Sequence, residues 1–297
     1  MLRGALVLVI LFLNLCLWGL PIVAFSFVKF VLPQGQARRR LILFLASLAE
    51  RWGAGNHRIF DWFLDVDWDI EGLGETRYDG RYLLISNHSS WVDIFAIMRA
   101  FQHKTALVRF FLKSELIWLP IVGQACWALE FPFMKRYTPE ELEKHPEKRG
   151  KDLETTRLAC RRFQAIPVTI VNFVEGTRFK REKHAEQQSP YRHLLRPRIG
   201  GIAFVVSSMG AMLDAMFDVT ITYPGADVTF WRFITGRVPR VVVRIRTIRI
   251  PDEFFATNIT EAGPDRERFK AWMSRLWEEK DALLDELPGA PQPAARG

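Results

Sequence analysis

From Ala5 to Val28 the chain runs for 24 residues without a charge. At 1.5 Å per residue, a helix of that length reaches across the roughly 30 Å hydrocarbon core of a bilayer. A cleaved signal sequence has a shorter apolar region and a small-residue cleavage site, and no A-x-A-like site precedes Gln34. A retained anchor is therefore expected. Pro21 lies inside the run and can kink or break a helix, so the anchor is either one kinked span or two short helices dipping in and out. Arg38, Arg39 and Arg40 follow at once and read as a cytoplasmic patch facing anionic lipid. Arg3 precedes the run, so the charge asymmetry is modest and a re-entrant helical hairpin stands beside the span.

The rest of the 297 residues suffices for one domain of about 200 to 250 residues. Charged residues at 25% and apolar residues at 49% are ordinary for a globular protein and exclude a polytopic membrane protein. The 10 Trp and 23 Phe suit contact with lipid. A net charge of +8 favours anionic partners. No zinc finger, helix-turn-helix or single-strand-binding motif is present, so nucleic acid is not an expected partner. Cys16, Cys126 and Cys160 are odd in number and scattered, which gives neither a disulfide framework nor metal spacing and fits a reducing, cytoplasm-facing domain.

Segment 42–65 mixes apolar and charged residues, as an amphipathic helix at a membrane surface would. Strands are then expected at Trp68 to Gly72, Tyr82 to Ser86, Lys104 to Arg109, Phe131 to Met134, Pro167 to Val174, Phe217 to Tyr223 and Arg240 to Ile250. Helices are expected at Ser89 to Ala100, with serines capping its start, Leu112 to Leu129 with a break near Pro120 and Gly123, Lys151 to Gln164, Gly201 to Met209, and Asp265 to Leu287. The last carries Phe269, Trp272, Leu276, Leu283 and Leu287 near one face. Residues 178–198 form a basic loop, with seven Lys or Arg against two Glu. Strands alternating with helices argue for an α/β fold, a central mixed sheet flanked by helices. The expected division is an anchor and amphipathic segment over 1–65, a catalytic domain over 66–287 and a disordered, Pro- and Ala-rich tail over 288–297.

Three motifs carry chemistry. Asn87-His88-Ser89-Ser90-Trp91-Val92-Asp93 follows a buried strand and opens a helix, where α/β folds place ligands. Five residues of straight helix would set His88 and Asp93 about 140° apart, so they meet only if His88 stands in the turn and folds back. Meeting, they form a general base: the carboxylate fixes the imidazole tautomer and the other ring nitrogen takes a proton from a hydroxyl. A bare His-x₄-Asp is also the pattern of an ordinary helix cap. Phe133-Met134-Lys135-Arg136 ends a strand with two cations, which by themselves are a solvated pair. Glu175-Gly176-Thr177-Arg178 closes another strand; Gly176 permits a sharp turn, and Arg178 is a bidentate donor suited to phosphate. Ser89 and Ser90 lie outside any Gly-x-Ser-x-Gly elbow, so a serine-type hydrolase is the weaker alternative. His103, His184 and His193 lack metal-ligand spacing and are expected at the surface.

In this order the three motifs resemble the 1-acylglycerol-3-phosphate acyltransferase family of glycerolipid acyltransferases. Asn87, His88 and Asp93 match its Asn-His-x₄-Asp block. Arg136 or Lys135 falls where that family has a substrate-binding arginine, and 173–178 matches Phe-Pro-Glu-Gly-Thr-Arg with Val174 in place of the proline. Val219 to Pro224, after Leu195 to Arg198, is similar to the branch of lysocardiolipin-type enzymes and their bacterial relatives. The resemblance covers roughly residues 65–225 and the anchor. It implies that His88, oriented by Asp93, deprotonates the free hydroxyl of a lysophospholipid, which attacks the thioester of acyl-CoA or acyl carrier protein. It implies further that Arg136, Glu175, Gly176, Thr177 and Arg178 form the phosphate site, with Glu175 organising the turn. No metal or cofactor is expected, because a thioester is already activated. The expected location is the inner (cytoplasmic) membrane, the domain facing the cytoplasm on anionic lipid. The stretch Leu112 to Leu129 is either an acyl-chain tunnel lining or a buried core helix.

Overall fold

The structure, a computed structural model, describes residues 1–33, 35–134, 158, 160–164 and 166–291. Lys135, Arg136 and most of the expected helix Lys151 to Gln164 lie outside these residues; of that helix, 160–163 are helical.

The N-terminal run forms α1 (Leu2–Ser26), which passes through Pro21 without ending, then a short α2 (Val28–Val31) and α3 (Gln36–Phe63). α1 and α3 lie antiparallel: Arg3 Nε donates to the Phe63 carbonyl, Asn14 Nδ2 donates to Trp52 O at 3.0 Å and to Asn56 Oδ1 at 2.9 Å, and Phe25 meets Phe44 edge-on. The amphipathic segment expected from residue 42 is thus the second arm of a helical hairpin. Leu2–Val31 is long and apolar enough to cross a membrane, and only 22% of its most apolar window is buried. Its inner face is nonetheless docked along its length. Val7 and Leu11 join the core beneath α1, Ile22 packs with Leu45, Ala125 and Leu129, and the Lys29 ammonium pairs with the Glu130 carboxylate inside the protein. Leu6, Val9, Phe12, Leu13, Leu17 and Leu20 face outward.

The sheet alternates as the sequence does. β1 (Asp67–Glu71), β2 (Arg81–Ser86), β3 (Val108–Phe110), β6 (Val168–Phe173), β7 (Ala215–Thr222) and β8 (Arg240–Ile248) form six strands in the order β1-β8-β7-β2-β6-β3, while β4 (Leu112–Lys113) and β5 (Phe133–Met134) pair separately. β7, β2, β6 and β3 are parallel and β8 is antiparallel to β7, so the sheet is mixed. Tyr82, Leu84, Phe217 and Val219 enter the core shared with α1, α3 and α4 (Val92–Phe101). Leu83, Ile85, Ile170 and Met216 enter the opposite core, under α7 (Gly200–Met209) and α9 (Pro264–Glu286). This period-2 division buries both faces, as parallel strands require. The parallel register sets Ser86 beside Phe173 and Val219, so the carboxyl ends of β6, β2 and β7 finish side by side.

Several sequence expectations are corrected. The helix after β2 begins at Val92, leaving Ser89 and Ser90 in the loop; Asp93 caps the helix by reaching back to their amides. The stretch Leu112 to Leu129 is β4, a 3₁₀ turn (Ser114–Trp118) and α5 (Val122–Ala128). Ile121 at φ +65° follows Pro120 and breaks any continuous helix, and Gly123 sits so close to the Ile117 carbonyl that a Cβ would lie 2.3 Å away. The strand expected from Lys104 starts at Val108 because the chain turns at His103, φ +59°. The basic loop contains a short α6 (Arg181–Glu186). His193 is buried and pairs with Asp285. On α9 Phe269, Trp272 and Leu276 are buried as expected, but toward its end Lys280 and Leu284 are buried rather than Leu283 and Leu287; the Lys280 ammonium is held by Asp218, the Val219 carbonyl and Thr220. Residues 288–291, expected to be disordered, pack against 222–224 and His193, while 292–297 lie outside the described residues.

Candidate active site

The Asn87-His88 turn leaves the end of β2, and Asn87 locks it to β7. Its side-chain amide donates to the Ile221 carbonyl at 2.9 Å, and its carbonyl accepts the Ile221 amide at 2.9 Å, as a strand partner would. His88 then stands outside the helix and folds over its start. Nδ1 lies 2.7 Å from Asp93 Oδ2, with the imidazole 16% and the carboxylate 0% exposed. The same Oδ2 accepts the amides of Ser89 at 2.7 Å and Ser90 at 2.9 Å, and Oδ1 accepts the Tyr223 hydroxyl. Burial, with Asp93 adding to it, holds the Tyr223 phenol well above its ordinary range, so it keeps its proton and donates. A carboxylate surrounded by three such donors takes a fourth from Nδ1–H, which leaves the Nε2 lone pair free.

The ring plane is fixed from the neighbouring strand. Phe173, the last residue of β6, stacks on His88 at 3.9 Å and 15°, and Phe110 stacks on Phe173 at 5.8 Å. The His88 carbonyl accepts the Phe179 amide at 2.6 Å, joining the His88 loop to the turn after β6.

That turn is made by Gly176 at φ +69°, a conformation that costs most residues about 1–2 kcal/mol. Beyond it, the exposed Arg178 guanidinium lies 5.3 Å over the Trp91 ring, on the side where His88 stands. Thr177 Oγ1 takes a hydrogen bond from Lys183. Desolvation lowers the Lys183 pKa, and Lys180, Arg178, Lys113 and Arg198 lower it further. Lys180, Arg178, Lys113 and Arg198 thus lie near enough to Lys183 to disfavour its charge, and among the described residues no ion pair joins any of these five cations to a carboxylate. A cationic rim of this kind suits an anion with several oxygens. Lys113 was not singled out from sequence; Lys180 and Lys183 were read only as part of the basic loop, and Arg198 and Tyr223 only as members of the 195–198 and 219–224 blocks, without a role. Arg136 lies outside the described residues.

Glu175 does not join that rim. It is buried, both its oxygens lack a hydrogen-bond partner, and burial raises its pKa well above the carboxylate range. Asp93 adds to the rise, while Lys280 and the nearby amides of Leu195 and His88 oppose it without closing to full hydrogen-bond geometry. Burial thus favours the protonated form of Glu175 beneath the turn. A folded-state pKa raised above the unfolded value contributes stability below the ordinary carboxylate range, and that stability is lost as pH rises. Melting temperatures of Glu175→Gln and wild type, compared from about pH 5 to 8, are expected to diverge in favour of the variant as pH rises. A constant difference would show that Glu175 is not held neutral.

An apolar cavity of about 240 Å³ lies between α1, α3, α4 and residues 107–131. Trp91 of the His88 loop lines it, together with Phe110, Gly19, Trp52, Leu116 and Cys126. Burial pushes the Cys126 thiol up to about 12, so it packs as an apolar group. Arg109, fully buried, ties β3 to the cavity wall by donating to the Leu129 carbonyl at 2.8 Å.

Residues 68–222 match the family model described as Acyltransferase. The chain is 25% identical over 227 residues to the 1-acyl-sn-glycerol-3-phosphate acyltransferase epsilon of Mus musculus, covering 72% of this chain and 60% of that protein. It is 26% identical over 246 residues to the 1-acyl-sn-glycerol-3-phosphate acyltransferase 3 of Arabidopsis thaliana, covering 77% of this chain and 60% of that protein. The chain thus spans about 60% of the length of these curated relatives. The crystal structure of the 1-acyl-sn-glycerophosphate (LPA) acyltransferase PlsC from Thermotoga maritima shares the fold, with TM-score 0.55 at 16% identity over 96% of this chain and 97% of that one. With the family model covering more than half of its length and the Asn87-His88-x₄-Asp93 and Glu175-Gly176-Thr177-Arg178 blocks inside the match, the chain belongs to the acyltransferase family.

Proposed function

We propose that this protein transfers a fatty acyl group from an acyl thioester, acyl-CoA or acyl carrier protein, to the free hydroxyl of a lysophospholipid, with 1-acylglycerol-3-phosphate as the preferred acceptor. One observation carries the reading: the loop that holds an imidazole against a buried carboxylate also carries Trp91, which the Arg178 cation covers and which lines an apolar cavity. A lysophospholipid offers the matching groups, a phosphate, a hydroxyl and an acyl chain.

His88 Nε2 takes the hydroxyl proton as the oxygen attacks the thioester carbonyl. The tetrahedral adduct collapses to the ester, the carbon–sulfur bond breaks, and the departing thiolate takes the proton back from the imidazolium. Asp93 holds the tautomer and balances the transient charge. Arg178, with Lys113 and Lys183, binds the phosphate, and the cavity receives an acyl chain.

The outward apolar face of α1 supports a membrane-bound protein. α1 is docked along the rest of the protein while its outer residues stay apolar, which supports a site at the bilayer surface, where a lysolipid can enter sideways. The inner membrane, with the catalytic side in the cytoplasm, fits Arg38 to Arg40 at the base of α3.

Purified protein in detergent, offered an acyl thioester with lysolipids of several head groups, is expected to form phosphatidic acid fastest from lysophosphatidic acid. Acylation of no lysolipid would end this reading. Arg178→Ala is expected to raise the lysolipid KM by about tenfold or more, since a charge-assisted hydrogen bond contributes about 1.5–3 kcal/mol. An unchanged KM would remove Arg178 from the phosphate site.

A further inference from the structure

Beside the His88 loop, and sharing no lining residue with the apolar cavity, lies a larger cleft of about 930 Å³. Ser89 and Tyr223, both hydrogen-bonded to Asp93, are among its lining residues. Lys180, Arg181 and residues 225–228 also line it, and so does the chain's own tail, Gly289, Ala290 and Pro291. That tail is fixed rather than draped. Thr222 Oγ1 donates to the Pro288 carbonyl at 2.8 Å, and the buried His193 donates from Nδ1 to the Pro291 carbonyl at 2.5 Å. Gly289, at φ +81°, presses so close to the turn below that a Cβ would lie 2.3 Å from the Pro224 nitrogen.

The first cavity is apolar and suits a hydrocarbon chain. The second cleft mixes charged lining, Lys180, Arg181, Glu182 and Asp227, with apolar lining from Phe179, Ala226 and Val228, and it reaches the His88 loop at Ser89, so it suits a ligand that carries polar and charged groups as well as carbon. A thioester donor brings such a polar part: a linear arm of amides ending in a phosphate, common to coenzyme A and to the prosthetic group of an acyl carrier protein. On the reading that the reaction is acyl transfer from a thioester, we infer that this cleft receives the donor's phosphopantetheine arm. Arg181 meets its phosphate, and residues 288–291 wall it in.

The test uses the full chain in detergent, an Arg181→Glu variant, and a chain ending at Leu287. Binding of coenzyme A, of holo acyl carrier protein and of the apo carrier lacking the arm is followed by calorimetry, and KM is measured for each substrate. The inference expects coenzyme A or the holo carrier to bind, the apo carrier not, and both variants to weaken that binding and raise the donor KM about tenfold, with the lysolipid KM unmoved. Whichever of the two donors binds identifies the source of the arm. Unchanged donor binding in Arg181→Glu, equal binding of apo and holo carrier, or a rise confined to the lysolipid KM would overturn it. Arg181 is exposed, so this variant decides even if the shortened chain fails to fold. Arg181-dependent binding of coenzyme A without any transfer would leave the cleft assignment standing and the acyltransferase reading refuted.

Discussion

His88→Ala is expected to lower acyl transfer by about 10²- to 10⁴-fold, the range a positioned general base contributes. The imidazole is partly exposed and, among the described residues, hydrogen-bonds only to Asp93, so the variant should fold and bind substrates with little change in KM. Ser89→Ala is the informative control. Among the described residues neither Ser89 nor Ser90 hydrogen-bonds to His88 through its hydroxyl, and Ser90 Oγ is occupied by the Val92 amide at 3.3 Å. A transferase with a histidine base loses far more with His88→Ala than with Ser89→Ala, whereas a serine hydrolase loses comparably with both. Rates of esterified and hydrolysed product for the two variants separate these outcomes.

Asp93→Asn is expected to cost as much activity and, in addition, stability. The carboxylate accepts four donors: His88 Nδ1–H, the amides of Ser89 and Ser90, and the Tyr223 hydroxyl. An asparagine brings two donor hydrogens into this group, so at least one buried donor loses its acceptor, at a cost of about 1–3 kcal/mol. If the amide turns its NH₂ to His88, Nδ1 must accept, the proton moves to Nε2, and the base is blocked. The equivalent change in the Ser-His-Asp triad, a worked case in another enzyme class, lowers kcat by about 10⁴. A loss below tenfold in kcat, with an unchanged urea midpoint, would mean that Asp93 neither sets the tautomer nor holds the loop. Tyr223→Phe removes one donor and leaves the other three in place, so it should cost far less.

How much of this was legible follows from how local each feature is. The His88–Asp93 pair was readable because the decisive geometry lies within seven residues. The objection from helical spacing dissolves once Val92, not Ser89, begins the helix. The turn at Gly176 was readable for the same reason. The sheet was readable because Leu83-Leu84-Ile85 and Val168 to Val171 are buried on both faces. Tyr223, 130 residues from Asp93, and Lys113, which joins the cationic rim from β4, were not, because only the strand register brings them in. Lys280 looked like one more charge on an amphipathic helix until Asp218 met it from β7. His193 looked exposed for want of any local signal of Asp285 and the tail. In the 112–129 stretch the break expected near Pro120 and Gly123 is present, made by the left-handed Ile121, and the apolar residues line a cavity; what local preference did not suggest is that its first part is β4 and a 3₁₀ turn.

The central claim is that Asp93 leaves Nε2 of His88 unprotonated and facing substrate. Nitrogen-15 NMR of histidine-labelled protein in micelles at neutral pH, with the His88 signals assigned by their loss in His88→Gln, reads this tautomer directly. The account predicts a proton on Nδ1 and a pyridine-like Nε2 that converts to the other form in Asp93→Asn. A proton resident on Nε2 in the wild type, or a tautomer indifferent to Asp93, would contradict it.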